Sequence, residues 1–157
     1  MTSMQKAVIF TAGKDEYAIP VTYVYSIERP VNITPIPQMP GYVAGLAKVR
    51  DELLPLLDLE KILYGTKADM NSGDYKWILI QAENLTAGLA VKDAREIMEI
   101  PEENIKQIGL ASYHKTSYIS GVASMPERDL IPLINPVKLI DSLEGIKELK
   151  VYVEDQA

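Results

Sequence analysis

The 157-residue chain has no cysteine, which rules out disulfides, thiolate metal sites and cysteine nucleophiles. It has one histidine, His114, set in Ala111-Ser112-Tyr113-His114-Lys115-Thr116 between apolar segments. That context reads as a solvated loop position, not the exposed acidic helix that a phosphoacceptor would need. Long hydrophobic runs are also missing, since no window approaches the ~18 to 20 apolar residues of a spanning helix. Met1 to Phe10 lacks the basic-then-apolar order of a secretory signal. A soluble, cytoplasmic protein with no membrane insertion of its own is expected. Positive charge is scarce, 16 Lys and Arg against 22 Asp and Glu for a net charge of −6, so the basic footprint of a nucleic-acid binder is absent. Gly41, Gly45, Gly109 and Gly121 make no phosphate-cradling pattern, and no cofactor is expected.

What the chain does have is a copy of itself. Tyr42-Val43-Ala44-Gly45-Leu46-Ala47 returns as Tyr118-Ile119-Ser120-Gly121-Val122-Ala123, and Leu53-Leu54-Pro55-Leu56-Leu57-Asp58 as Leu130-Ile131-Pro132-Leu133-Ile134-Asn135. The offset grows from 76 to 77 residues, which one insertion at Met125-Pro126-Glu127 reconciles. Upstream, Tyr17 to Val21 matches Ala87 to Val91, and Ile27 matches Ile97, at an offset of 70. A repeat this long means two similar subdomains rather than a solenoid of short units. Each half would be marginal alone, so the two are expected to share a core. The boundaries read as 6–64 for the first copy, a polar glycine-bounded linker at 65–74, and 75–140 for the second. The charged tail 141–157 is either a helix packed on the body, with Leu143, Ile146, Leu149 and Val153 at helical spacing, or a free tail.

Within each copy the signals are of short strands. Lys6 to Thr11 and Tyr17 to Pro20, around Gly13-Lys14-Asp15-Glu16, predict a hairpin. Val43 to Val49 and Leu53 to Leu57 predict a second one across Arg50-Asp51-Glu52. Val21 to Ile27 fits a helical turn and a strand equally well. Pro30, Pro35, Pro37 and Pro40 predict an extended connection. Asp58 caps a short helix, and in the second copy Asn135 takes the cap with Pro136 at the first helical position. About five short strands per copy predict small barrels that close on themselves.

Catalytic chemistry has little to work with. Glu102 and Glu103 follow Pro101 and read as the start of a helical turn. Trp77, beside Ile78-Leu79-Ile80, reads as core. An enzyme would have to use carboxylates between the copies, with Asp58, Glu96 and Glu99 as nominal acids. Arg50 differs in kind: at a hairpin tip it is either a solvated turn residue or a forked, stackable interface anchor.

At these residues the chain resembles the chemotaxis coupling protein family CheW. Phe10, Gly13 and Tyr17 hold the opening frame, with Ala12 where leucine is usual, followed by Val24 to Ile27 and by Pro37 and Pro40. The strongest stretch is Gly45 to Leu59, Gly-Leu-Ala-Lys-Val-Arg-Asp-Glu-Leu-Leu-Pro-Leu-Leu-Asp-Leu. The resemblance implies a mainly β fold of two similar five-stranded SH3-like β-barrels with short helices. It implies a non-catalytic adaptor that couples methyl-accepting chemoreceptor cytoplasmic tips to the regulatory domain of a CheA-type histidine kinase, recruited to membrane receptor arrays. It further implies partner contacts around Val24, Ser26, Ile27, Gly45, Lys48, Arg50 and Asp51. Lys48, Asp51 and Ser26 replace the family's asparagine, glycine and acidic residue, and Lys92 replaces an aspartate. The alternatives are a divergent paralogue or a detached kinase regulatory domain serving another receptor or motility system; the two-copy length favours a stand-alone protein.

Overall fold

The computed structural model describes residues 3–71, 73–82, 84–107 and 118–156. His114 and Gly109 lie outside the described residues. The strands are β1 (Met4–Ala12), β2 (Asp15–Pro20), β3 (Val24–Glu28), β4 (Ile33–Thr34), β5 (Val43–Val49), β6 (Glu52–Asp58), β7 (Tyr75–Ala82), β8 (Leu85–Pro101), β9 (Ile105–Lys106), β10 (Ile119–Ala123) and β11 (Ile131–Ile134). Among the described residues three short helices complete the set: α1 (Leu59–Tyr64), α2 (Pro136–Asp141) and α3 (Ile146–Gln156). The ambiguous Val21 to Ile27 contains both answers, a 3-10 turn over Val21–Tyr23 and then β3.

The pairing order β4-β5-β6-β8-β1-β2-β11-β10-β9, with β7 between β3 and β8, resolves into two small barrels. The first contains β3 to β7 and the first half of β8. The second contains β1, β2, the second half of β8, and β9 to β11. Each has five strands plus a two-residue one. The sequence repeat divides at the linker, but strand pairing crosses that division. The opening hairpin of the first copy, β1-β2, pairs with β8 and β11 of the second. The opening hairpin of the second copy, β7 with the start of β8, pairs with β3 and β6 of the first. The exchange is symmetric: Leu56 faces Gly88 in one parallel pair and Leu133 faces Ala18 in the other. Both copies carry the same apolar pattern, and each hairpin completes the barrel of the other copy.

Strand alternation then divides the core into three layers. Leu54, Leu56, Trp77 and Leu79 fill the first barrel, and Ile9, Ala18, Ile100, Ile131 and Leu133 fill the second. Their alternates, Val8, Phe10, Ile19, Ile78, Ile80 and Leu89, meet between the barrels. Leu59 of α1 and Leu139 and Ile140 of α2 join that middle layer, as do Ile146, Leu149 and Val153 of α3. The tail is therefore a packed helix. At the hairpins β1-β2 and β7-β8 each barrel holds strands of the other copy, so neither is a separable unit.

Candidate partner-binding site

The β5-β6 hairpin closes on two residues, Arg50 and Asp51, with φ of 51° and 67°. Two successive left-handed residues make the turn whose twist matches the strands it joins, and Asp tolerates the conformation that glycine usually supplies. The turn aims the Arg50 guanidinium across the barrel mouth toward β3. Its Nη2 stands 3.1 Å from Oε2 of Glu28. Arg50's side chain remains 70% exposed while that of Glu28 is only 16% exposed.

Glu28 lies two residues after Ser26, so both side chains leave β3 on one face. That face is the barrel interior, because Ser26 stands opposite Leu79 and Glu28 opposite Trp77. Ser26 Oγ and Glu28 Oε2 are both buried without a hydrogen-bond partner. The Arg50 approach is a charge contact lacking hydrogen-bond alignment. An unsatisfied buried polar group costs about 1–3 kcal/mol, so the mouth of this barrel holds two acceptors in want of donors beside a cation with donors to spare.

The structure brings Ser26, Glu28, Arg50 and Asp51 together and sends the other candidates elsewhere. Val24 and Ile27 pack against the layer between the barrels. Gly45 is buried, and a Cβ there would come within 2.5 Å of the Thr34 carbonyl oxygen and of Ile33 Cγ2; its part is close packing of β5 on β4 at a bulge. Lys48 is exposed and lines a separate surface with Leu53, Tyr152 and Gln156. Lys92 lies over the Tyr75 ring at 5.7 Å, which gives its ammonium a local cation-π partner. Glu28 was not among the sequence candidates; the period of two from Ser26 is the signal that finds it.

The nominal acids do not converge. Asp58, 2% exposed, accepts from the backbone N–H of Lys61 at 3.1 Å and of Ala68 at 2.9 Å. Glu96 takes the Arg128 guanidinium at 2.8 and 3.1 Å, and Glu99 faces Lys6 at 3.9 Å. Each is committed to a different structural contact. Among the described residues no group of three or more His, Cys, Asp or Glu could hold a metal ion, and no helix is long and apolar enough to cross a membrane.

A family model described as a CheW-like domain matches residues 6–144. The chemotaxis protein CheW of Helicobacter pylori is 25% identical over 119 residues, 76% of this chain and 72% of that protein. That of Klebsiella aerogenes is 26% identical over 141 residues, 89% and 84% of the respective chains. Among solved structures, the scaffolding protein TtCheW of Thermoanaerobacter tengcongensis aligns with a TM-score of 0.76 at 25% identity, covering 89% of this chain and 90% of its own.

Proposed function

The chain belongs to the CheW-like domain family, and on that premise we propose that it is a non-catalytic scaffold coupling chemoreceptor cytoplasmic tips to the regulatory domain of a CheA-type histidine kinase. Its workplace on this reading is the cytoplasmic side of a receptor array. The observation that carries the choice of site is the incomplete mouth of the first barrel: an exposed arginine with a single carboxylate contact above two buried acceptors that lack donors. A docking partner supplies what is missing. An acidic side chain takes the free edge of the Arg50 fork, and a donor reaches Ser26 or Glu28. Arginine suits such a place because its planar fork pairs bidentately where lysine offers a point charge.

Asp51 alters the character of this site from the family pattern, and Lys48 that of the separate surface it lines. The two changes favour partners whose own contacts have changed with them, a second receptor or motility system being the natural setting.

The test is calorimetric titration against the regulatory domain of the CheA-type kinase from the same genome. Binding at about micromolar affinity, weakened at least ~10-fold by Arg50→Glu, is the expected result, since about 1.4 kcal/mol corresponds to one decade. Circular dichroism should stay unchanged, because Arg50 is a turn side chain outside the core. No binding by the wild-type chain would remove this kinase as the partner. Equal binding by Arg50→Glu would move the contact off the hairpin tip.

A further inference from the structure

On the side of the molecule where α1 and the α2-α3 turn approach each other, a cleft of about 890 Å³ opens between the barrels. Its floor is aromatic, with Tyr42 from the start of β5 and Tyr118 from just before β10. These are the repeat-equivalent tyrosines, one from each copy. Ile62 and Leu63 of α1 form one wall and Leu143 of the α2-α3 turn the other. The cleft shares no residue with the Arg50 site.

Its charged groups are unequal in number. Tyr42 Oη donates to the Glu144 carbonyl oxygen at 2.7 Å, and Lys61 Nζ donates to the Gly65 carbonyl oxygen at 2.9 Å, at the C-terminal end of α1. The Tyr42 donor is thereby committed, whereas Lys61 is anchored at the helix end and keeps its charge. The carboxylates of Glu144, which lines the cleft, and of Glu148, in the first turn of α3, are exposed and take part in no ion pair or hydrogen bond among the described residues. Both lie close enough to act on Tyr42, whose hydroxyl is pushed up to about 12 by burial and then by Glu148 and Glu144.

An apolar, aromatic-floored concavity whose two unpaired carboxylates outnumber its one ammonium, that of Lys61, has the anatomy of a protein-docking core, in which buried anchors give affinity and rim charge gives selectivity. We propose that this cleft seats an amphipathic cationic segment of a partner protein, with apolar side chains on Tyr42, Tyr118, Ile62 and Leu143 and a lysine or arginine against Glu144 and Glu148. Charge complementarity selects the occupant. An acidic segment would meet both free carboxylates against a single ammonium, Lys61, which is held at the end of α1. This surface is independent of the kinase contact proposed above, so the two can be occupied together.

The test is an NMR titration of the full-length isotope-labelled chain with a short leucine-lysine amphipathic peptide and, separately, with its leucine-glutamate counterpart. The expected result is saturable binding of the lysine peptide with shifts centred on Tyr42, Tyr118 and Leu143, and none with the glutamate peptide. The double reversal Glu144→Lys, Glu148→Lys should weaken the lysine peptide at least ~10-fold, while Arg50→Glu should leave its affinity unchanged. Shifts scattered over the acidic surface without saturation, equal binding of the two peptides, or indifference to the double reversal would each overturn the proposal. Unchanged circular dichroism of the reversal variant excludes unfolding as the cause of any loss.

Discussion

Arg50 closes the hairpin of the first barrel and holds one carboxylate loosely, whereas Arg128, on the corresponding connection of the second barrel, is surrounded by two. Arg128 donates to both oxygens of Glu96 and reaches Glu16 at 3.4 Å, leaving its side chain 29% exposed. Arg50 makes a single 3.1 Å charge contact and stays 70% exposed. Both arginines reach across from the β-hairpin connection of their barrel, although the repeat offset of 77 puts Glu127, not Arg128, at the Arg50 position. What differs is saturation: one fork has spent its donors within the chain and the other keeps them for something outside. The same skeleton thus carries a plug in one copy and, on the reading proposed above, a docking point in the other.

The comparison can be broken most severely where the copies are most alike. Gly45 and Gly121 occupy the same bulge, each against the two-residue strand of its barrel. A Cβ on Gly45 would meet the Thr34 carbonyl oxygen at 2.5 Å from a φ of 152°, whereas on Gly121 it would meet the Lys106 carbonyl oxygen at 3.0 Å. Overpacking typically costs about 1–3 kcal/mol, and added strain puts Gly45→Ala at the top of that range or slightly above it, with Gly121→Ala near the bottom. Urea denaturation of the two variants measures this directly. Equal losses would mean that backbone strain at Gly45 contributes nothing.

The helix caps come next. Asp58 serves two donors on separate segments, the first turn of α1 and Ala68 in the linker. Asn135 accepts from Val137 and Lys138 in the first turn of α2 alone, and its amide donates to the Tyr23 hydroxyl at 3.3 Å. Losing an N-cap costs about 1 kcal/mol, and leaving the buried Ala68 N–H unsatisfied adds a further ~1 kcal/mol or more. Asp58→Ala is therefore expected to lower stability by about 2 kcal/mol and Asn135→Ala by about half as much. Faster hydrogen exchange at Ala68 in Asp58→Ala alone would separate the two effects.

Much of this was readable from residues. Asp58 and Asn135 announce helix starts, Arg50-Asp51 announces a hairpin, and the Ile146, Leu149, Val153 stripe announces a packed helix, because each depends on neighbours within a few positions. The hairpin exchange was not readable. Leu56 opposite Gly88 and Leu133 opposite Ala18 are pairings between distant segments with interchangeable apolar patterns, and no local period distinguishes the right partner from its repeat equivalent. Glu28 escaped for a related reason. A glutamate at a strand end reads as solvated surface until β7 places Trp77 opposite it. The proline spacing of 30–40 reads as an extended connection, but neither the pairing of β4 within it nor the bond tying Ala68 to Asp58 has a local signal.

At the arginines the two copies should separate by readout. Arg128→Ala removes a partly exposed network and is expected to lower stability by no more than about 1 kcal/mol while leaving kinase-domain affinity unchanged. Arg50→Ala should do the reverse, with a midpoint within experimental error of wild type and weaker binding. Were Arg128→Ala to abolish binding with its fold intact, the second barrel would be the docking point and the saturation argument would be wrong.

The smallest expected effect concerns the cleft tyrosines, whose pH response has a definite sign. Burial pushes both hydroxyls above the ordinary value of 10.0, Tyr42 to about 12 with Glu148 and Glu144 adding to it, and Tyr118 upward with Tyr17 adding to it. A tyrosine whose folded value is raised adds stability that is complete below pH 10, because above that the unfolded chain loses its proton first. The contribution should therefore decline as pH rises from 10 to 12 and be gone once the folded hydroxyl ionises. Tyr42→Phe should flatten that decline, and it should also cost a little at neutral pH through the lost bond to the Glu144 carbonyl. Glu144→Gln with Glu148→Gln should lower the Tyr42 midpoint and leave that of Tyr118 in place, read by ultraviolet absorbance titration against the matching Tyr→Phe controls. Movement of both midpoints together would mean that the two carboxylates act on the whole cleft rather than on the wall that carries them, and the asymmetry between its two tyrosines would disappear.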